Sequence, residues 1–243
     1  MKLFQRIFFA ALLAGLLAGA AMSALQQWKV APIILAAEVY EGQPVHDHDH
    51  AAATSEAVAS AAEEPADWAP QDGAERIFYT VLADLLASVG FALVLAAVST
   101  LSGIPITAAN GLLWGLAGFA VFQFWPALGL APELPGMPAA DLVAREIWWW
   151  ATALCAAAGF LGIAKFRNWT AIGVCIVLLL VPQIIGAPHA PDEPSAVPAE
   201  LAAEFAAHAL IVGAVFWLSV GPLLGWLSER FARTVPFARR VTA

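Results

Sequence analysis

The chain has 243 residues, of which 61% are hydrophobic and only 12% charged, and its mean hydropathy is +0.76. A soluble domain carries about 25% charged residues, so this composition excludes a soluble fold and makes the bilayer the solvent. The net charge of −8 lacks the basic surface that nucleic-acid binding requires.

A membrane span needs about 20 apolar residues. The first apolar run opens at Leu3 and reaches at least Leu25; QQWK then reads as a break, with continuation toward Ala37 as an alternative. Lys2 and Arg6 before it and small residues near Ser23 resemble a signal peptide. The run exceeds the usual apolar core of about 7–15 residues, which favours a retained helix. Next comes an extramembrane acidic segment, residues 38–75, containing His46, Asp47, His48, Asp49 and His50. Further apolar runs follow at Ile77–Leu101, Ala108–Leu130, Ile147–Ala164, Ala171–Gly186 (the shortest) and Phe205–Leu227.

These runs predict an all-α, polytopic membrane bundle of six transmembrane helices in one integral membrane domain, residues 1–243, with five helices as the alternative. Lysine and arginine favour the cytoplasmic side. Six spans place Lys2, Arg6, Lys165, Arg167, Arg230, Arg233, Arg239 and Arg240 on one face. Lys29, Arg76 and Arg145 fall on the other, near helix ends where they can snorkel. Five spans would put either the N-terminal or the C-terminal cations outside. Both termini are therefore expected in the cytoplasm. The opposite face gathers most carboxylates and becomes an anionic surface that concentrates cations.

Three outer bends look alike: PIILAAE (Pro32–Glu38), PALGLAPE (Pro126–Glu133) and PQIIGAPH (Pro182–His189). The starts PAADLVARE and PAELAAEFA also match, and proline and acidic residues both suit a first helical turn. Three helical hairpins would produce this pattern; so would proline-rich bends of unrelated origin.

The chemistry concentrates in a few places. Imidazole alternating with carboxylate in His46–His50 suits a divalent transition metal better than calcium, which prefers oxygen alone. Its setting of Ala, Thr, Ser and Glu offers little to pack. His189, Asp192 and Glu193 stand among Pro188, Pro191 and Pro194, which restrict the backbone. Asp84 falls inside the second span, where an ionisable group is a functional candidate. Glu200, Glu204 and His208 share one helix face by i, i+4, i+8 spacing. As plain structural features these would be a polar spacer, a stiff cap, a hydrogen-bonded carboxyl and a helix start.

Gly15 with Gly19, and Gly111 with Gly115 and Gly118, make small-residue faces for close helix packing. Trp148–Trp150 read as an aromatic anchor at the outer boundary. Cys155 and Cys175 form no CxxC and read as small buried hydrophobes. The chain holds no phosphate loop, catalytic triad or HExxH, so an enzyme is not expected.

The stretches FFAALLAGLLAG with LQQ, PIILAAEVYE, the His/Asp segment, WAPQDGAER, LLWGLAGFAVFQFWPALGLAPELPGMPAADLVAREIWW, PQIIGAPH and VPAELAAEFA resemble the CbtA family along nearly the whole chain. That resemblance implies a membrane subunit of a bacterial cobalt transporter in the inner membrane. Cobalt(II) or a related divalent metal is the transported ion, with no tightly bound cofactor. It also implies a small, single-span, His-rich partner of the CbtB type beside the lipid bilayer. A homo-oligomer is a further option. The family is described with five spans, where the charge pattern here favours six. A metal-binding or sensory membrane protein and a metal efflux protein are the competing functions.

Overall fold

The structure, a computed structural model, describes residues 2–41, 70–166 and 168–233. His46, Asp47, His48, Asp49 and His50 lie outside the described residues. Among those described there are six helices, two of them interrupted by π-turns, and no strand. α1 runs through Lys2–Leu25, a π-helical turn at Gln26–Val30, and Ala31–Glu38. α2 is Ala74–Ser102. α3 is Gly111–Ala127, with a second π-turn at Ala120–Phe124. α4 is Leu142–Lys165, α5 is Trp169–Ile185 and α6 is Ala199–Arg233.

α1, α2, α4 and α6 are long and apolar enough to cross a membrane. α5, at 17 residues, is about 25 Å long and meets the lower bound of about 17 residues for a span. Each expected apolar run forms a helix, with shifted edges, and α3 and α5 are the two shorter ones. α6 begins six residues before Phe205, because Pro198 and Glu200 favour a helix start there. His208 is therefore in its third turn, not at its beginning. α1 passes through QQWK without breaking, since the π-turn absorbs the polar residues as one widened turn. Lys29 is consequently not near a helix end; its Nζ lies 4.2 Å over the Trp28 ring on an exposed face.

α6 is the spine of the bundle, with α1 and α3 packed along it and α2 against α1. Packing in lipid relies on close van der Waals contact, which small residues allow. A Cβ added at Gly111 or Gly115 would lie 2.6 Å from the Gly221 carbonyl oxygen or 2.2 Å from that of Trp217. At the bundle centre Trp217 stacks on Phe122 with centroids 5.4 Å apart, and Phe91 meets both edge-on. α4 and α5 form a hairpin docked by indole donors: Trp148 Nε1 to the Pro182 carbonyl at 3.3 Å and Trp125 Nε1 to that of Leu179 at 2.8 Å. Of the three tryptophans expected as an anchor, Trp148 is buried, Trp149 lies beside Phe122 and only Trp150 is mostly exposed.

The start of α1 and the close of α6 lie at one end, where Ile7 and Phe231 join a core with Leu95, Ile106 and Leu224. At the opposite end Ile33, Ala37, Leu134 and Val197 bury together against Tyr40, Met137 and Phe205. That second core ties the top of α1 to both other bends.

Candidate cation site

Between α1 and α2 the bundle departs from dry glycine packing. Asp84 is the tenth residue after Ala74, so it lies about 15 Å into α2 at 1.5 Å per residue, deeper than the sequence spacing from Ile77 implied. Its Oδ2 accepts a hydrogen bond from Ser23 Oγ at 2.7 Å, and its Oδ1 faces Gln26 Nε2 at 3.5 Å. Ser23 is buried and Asp84 half-buried. Taking Arg6 and Trp28 as the two interfacial anchors of α1 leaves about 20 residues between them. The Ser23–Asp84 contact then sits within two turns of the boundary at the loop end.

Above this contact lies a cavity of about 490 Å³, lined by Gln26, Gln27, Pro32, Asp72, Arg76 and Thr80, among others. Arg76 spans its rim. The guanidinium pairs with both carboxylate oxygens of Glu38 and with Asp72 Oδ1 at 3.2 Å. The two helix tops are thus clamped across the mouth by a bidentate pair, the stronger form of charged hydrogen bond. Below the contact the seam closes. Ser88 is 1% exposed, and its Oγ has no hydrogen-bond partner among the described residues. A Cβ at Gly19 would lie 2.6 Å from that oxygen, and one at Gly15 would lie 2.6 Å from Val89 Cα.

The second bend repeats the clamp. Glu133, which ends PALGLAPE, pairs with Arg145 of α4 at 2.8 Å. Both line a second cavity of about 400 Å³ with Gln123, Glu146, Trp149 and Trp150. The acids that close the first two proline motifs are therefore held by the arginine at the start of the following helix. The third motif ends in His189 instead, and α6 begins with Glu200 rather than an arginine. His189, Asp192 and Glu193 are all exposed in this bend. Glu204 is exposed and His208 half-buried, with Nδ1 2.9 Å from the Glu204 carbonyl oxygen. That contact suits an Nδ1–H donor and leaves the lone pair on Nε2. Among the described residues no three of His, Cys, Asp and Glu come together as a metal-holding group. Cys155 and Cys175 are free, half-buried thiols.

A family model described as the probable cobalt transporter subunit CbtA matches residues 4–229. The chain belongs to the CbtA family. The matched range reaches into all six helices and includes the α1–α2 cavity and the His46–His50 segment. No curated protein and no solved structure matches the chain. As a CbtA member with several long apolar helices, the protein is a multi-pass membrane protein and a subunit of a cobalt transporter, which works with partner subunits.

Within this CbtA chain, the sequence singled out Asp84 but missed the residues around it. Ser23 and Gln26 are spaced i, i+3 and so share a helix face. That polar pair in an apolar helix was the available signal; QQWK read instead as a break in the run. Arg76 and Glu38 were both visible, but a separation of 38 positions hid their pairing.

Proposed function

We propose that the protein carries a divalent transition metal, cobalt foremost, inward across the bacterial inner membrane. The outer His and acidic segments capture the ion, and Asp84, with Glu204 and His208 as secondary ligands, passes it on. The observation that carries this reading is the polar α1–α2 seam, with Asp84 beneath a cavity at the loop end. The His46–His50 segment joins the two helices that form that cavity. A ligand tethered at both ends beside a cavity raises the local metal concentration there without any new contact. His189, Asp192 and Glu193 add a second collecting point at the third bend.

In this reading both termini are cytoplasmic and the loop end faces outward. The chain contains no ATPase motif. The membrane potential supplies about 2.3 kcal/mol per charge per 100 mV, so a divalent cation moving inward gains about twice that. A small, single-span, His-rich partner of the CbtB type completes the transporter.

Uptake of radioactive cobalt into cells expressing the chain, with and without that partner, tests the reading. Accumulation above control cells supports it. Net loss of preloaded cobalt would make the protein an exporter, and binding without movement would make it a sensor or store. Topology is checked separately: a reporter after Ala243 should be cytoplasmic, and a cysteine at Ala52 should react with an impermeant reagent from outside. Reaction of both ends from one side would refute the orientation.

A further inference from the structure

We propose that Ser23, Gln26 and Asp84 form an oxygen-donor site for a divalent cation, open to the loop end and sealed toward the opposite end by the glycine contacts of the same seam. This rests on the transport reading and adds the ligand set, its gatekeeping residue and the state of the pathway.

Gln26 holds two positions at once. It lines the cavity, and its amide faces Asp84 Oδ1. An ion descending from the rim therefore meets Gln26 before it meets the carboxylate. The 3.5 Å separation is at the long limit of a hydrogen bond and holds the amide weakly. Half a turn of that amide replaces its NH₂ donor with its carbonyl oxygen. The Ser23 hydroxyl likewise rotates to offer a lone pair. Both groups that now donate to Asp84 can thus turn and face a cation beside it, giving carboxylate, hydroxyl and amide oxygens from two helices. Water from the cavity fills the remaining positions. Such a set suits six-coordinate, oxygen-seeking divalent ions. A single carboxylate binds them loosely enough for release.

The π-turn that begins at Gln26 accompanies this arrangement. Single π-turns inside α-helices recur at functional sites. Toward the other end, the seam offers an ion no space. Gly19 abuts Ser88 and Gly15 abuts the Val89 backbone, and the cavity lining itself ends at Gln26 and Thr80, one turn short of Asp84. Onward movement requires α1 to separate from α2 there. The buried Ser88 oxygen, without a partner among the described residues, is the next ligand such a separation would uncover.

The test uses the full chain in lipid nanodiscs with His46, His48, His50, His189 and His208 replaced by alanine, so that the other proposed ligands do not dominate binding. Cobalt(II) alone is titrated by equilibrium dialysis. Asp84→Asn should abolish the remaining site. Gln26→Leu and Ser23→Ala should each weaken it by about tenfold, the lower range for losing a group that supports a metal ligand. Gln26→Glu should tighten binding and slow uptake, an effect in the opposite direction that poor folding cannot imitate. In a background with Cys155 and Cys175 replaced by alanine, Thr80→Cys should react with an impermeant thiol reagent and be protected by cobalt. Ser88→Cys should not react. Unchanged affinity in both Gln26 variants, or equal labelling at positions 80 and 88, would overturn the proposal. Cobalt uptake by a chain whose binding ignores Gln26 removes this site and leaves transport standing. Binding that depends on Gln26 in a chain that moves no cobalt does the reverse.

Discussion

The α3–α6 and α1–α2 contacts both rest on glycines spaced four apart, yet only one of them encloses polar chemistry. In the first, Gly111 and Gly115 meet Gly221 and the Trp217 backbone, and Gly225 meets Thr107. Glycine stands on both sides, and backbone touches backbone along much of the crossing. In the second, Gly15 and Gly19 face Val89 and Ser88; a few residues further, Ser23 and Gln26 face Asp84. The same spacing thus gives a fixed spine where both helices are bare. It gives a polar seam where the facing helix carries side chains that must find partners. Backbone-on-backbone packing and polar side-chain contacts thus occupy different helix pairs.

The strongest challenge to this contrast is a side chain in the spine. Gly115→Leu would drive carbon atoms into the Trp217 carbonyl, a backbone atom that cannot turn away. Overpacking of this kind costs about 1–3 kcal/mol and occasionally more. The variant should lose its monodisperse peak in size-exclusion chromatography. A well-folded Gly115→Leu protein would mean that α3 and α6 are not locked.

Asp84→Asn should insert normally, because a neutral amide is easier to place in a membrane than a carboxylate. It should cut the maximal rate of cobalt uptake by about tenfold or more. A hydrogen bond to a charged group is worth roughly 1.5–3 kcal/mol, and each 1.4 kcal/mol is about a factor of ten. Wild-type uptake rates in a normally inserted variant would make Asp84 structural.

Gly19→Ala probes the seam more gently. Its new carbon meets Ser88 side-chain atoms rather than backbone, so the loss should be about 1 kcal/mol, the low end of overpacking. Thermal unfolding should register a drop that Ser88→Gly in the same chain partly restores. Failure of that rescue would place the contact elsewhere.

The smallest expected effect lies in the segment joining α1 to α2. Alanine at His46, His48 and His50 should raise the cobalt concentration for half-maximal uptake by roughly threefold to tenfold, as expected for a weak tethered collector. The maximal rate should hold. Loss of uptake at saturating cobalt would move the loop from collector to pathway.

Six helices were legible in the sequence, because apolar length and the placement of Lys and Arg are summed along the chain and need no knowledge of neighbours. The small-residue faces at Gly15/Gly19 and Gly111/Gly115 were legible for the same reason, as was Asp84, whose charge is conspicuous in an apolar run. The residues that surround it were not. Ser23 and Gln26 become partners of Asp84 only when α1 and α2 settle at one depth and rotation. Arg76, Glu38 and Asp72 form a clamp only when two helix tops converge. Sequence spacing fixes which residues share a face of one helix. Which face meets which neighbour is set by the packing of all six at once, through the glycine contacts that determine how near each pair can come. The tertiary structure alone decided that one glycine seam is a spine and the other leads from a cavity to a carboxylate.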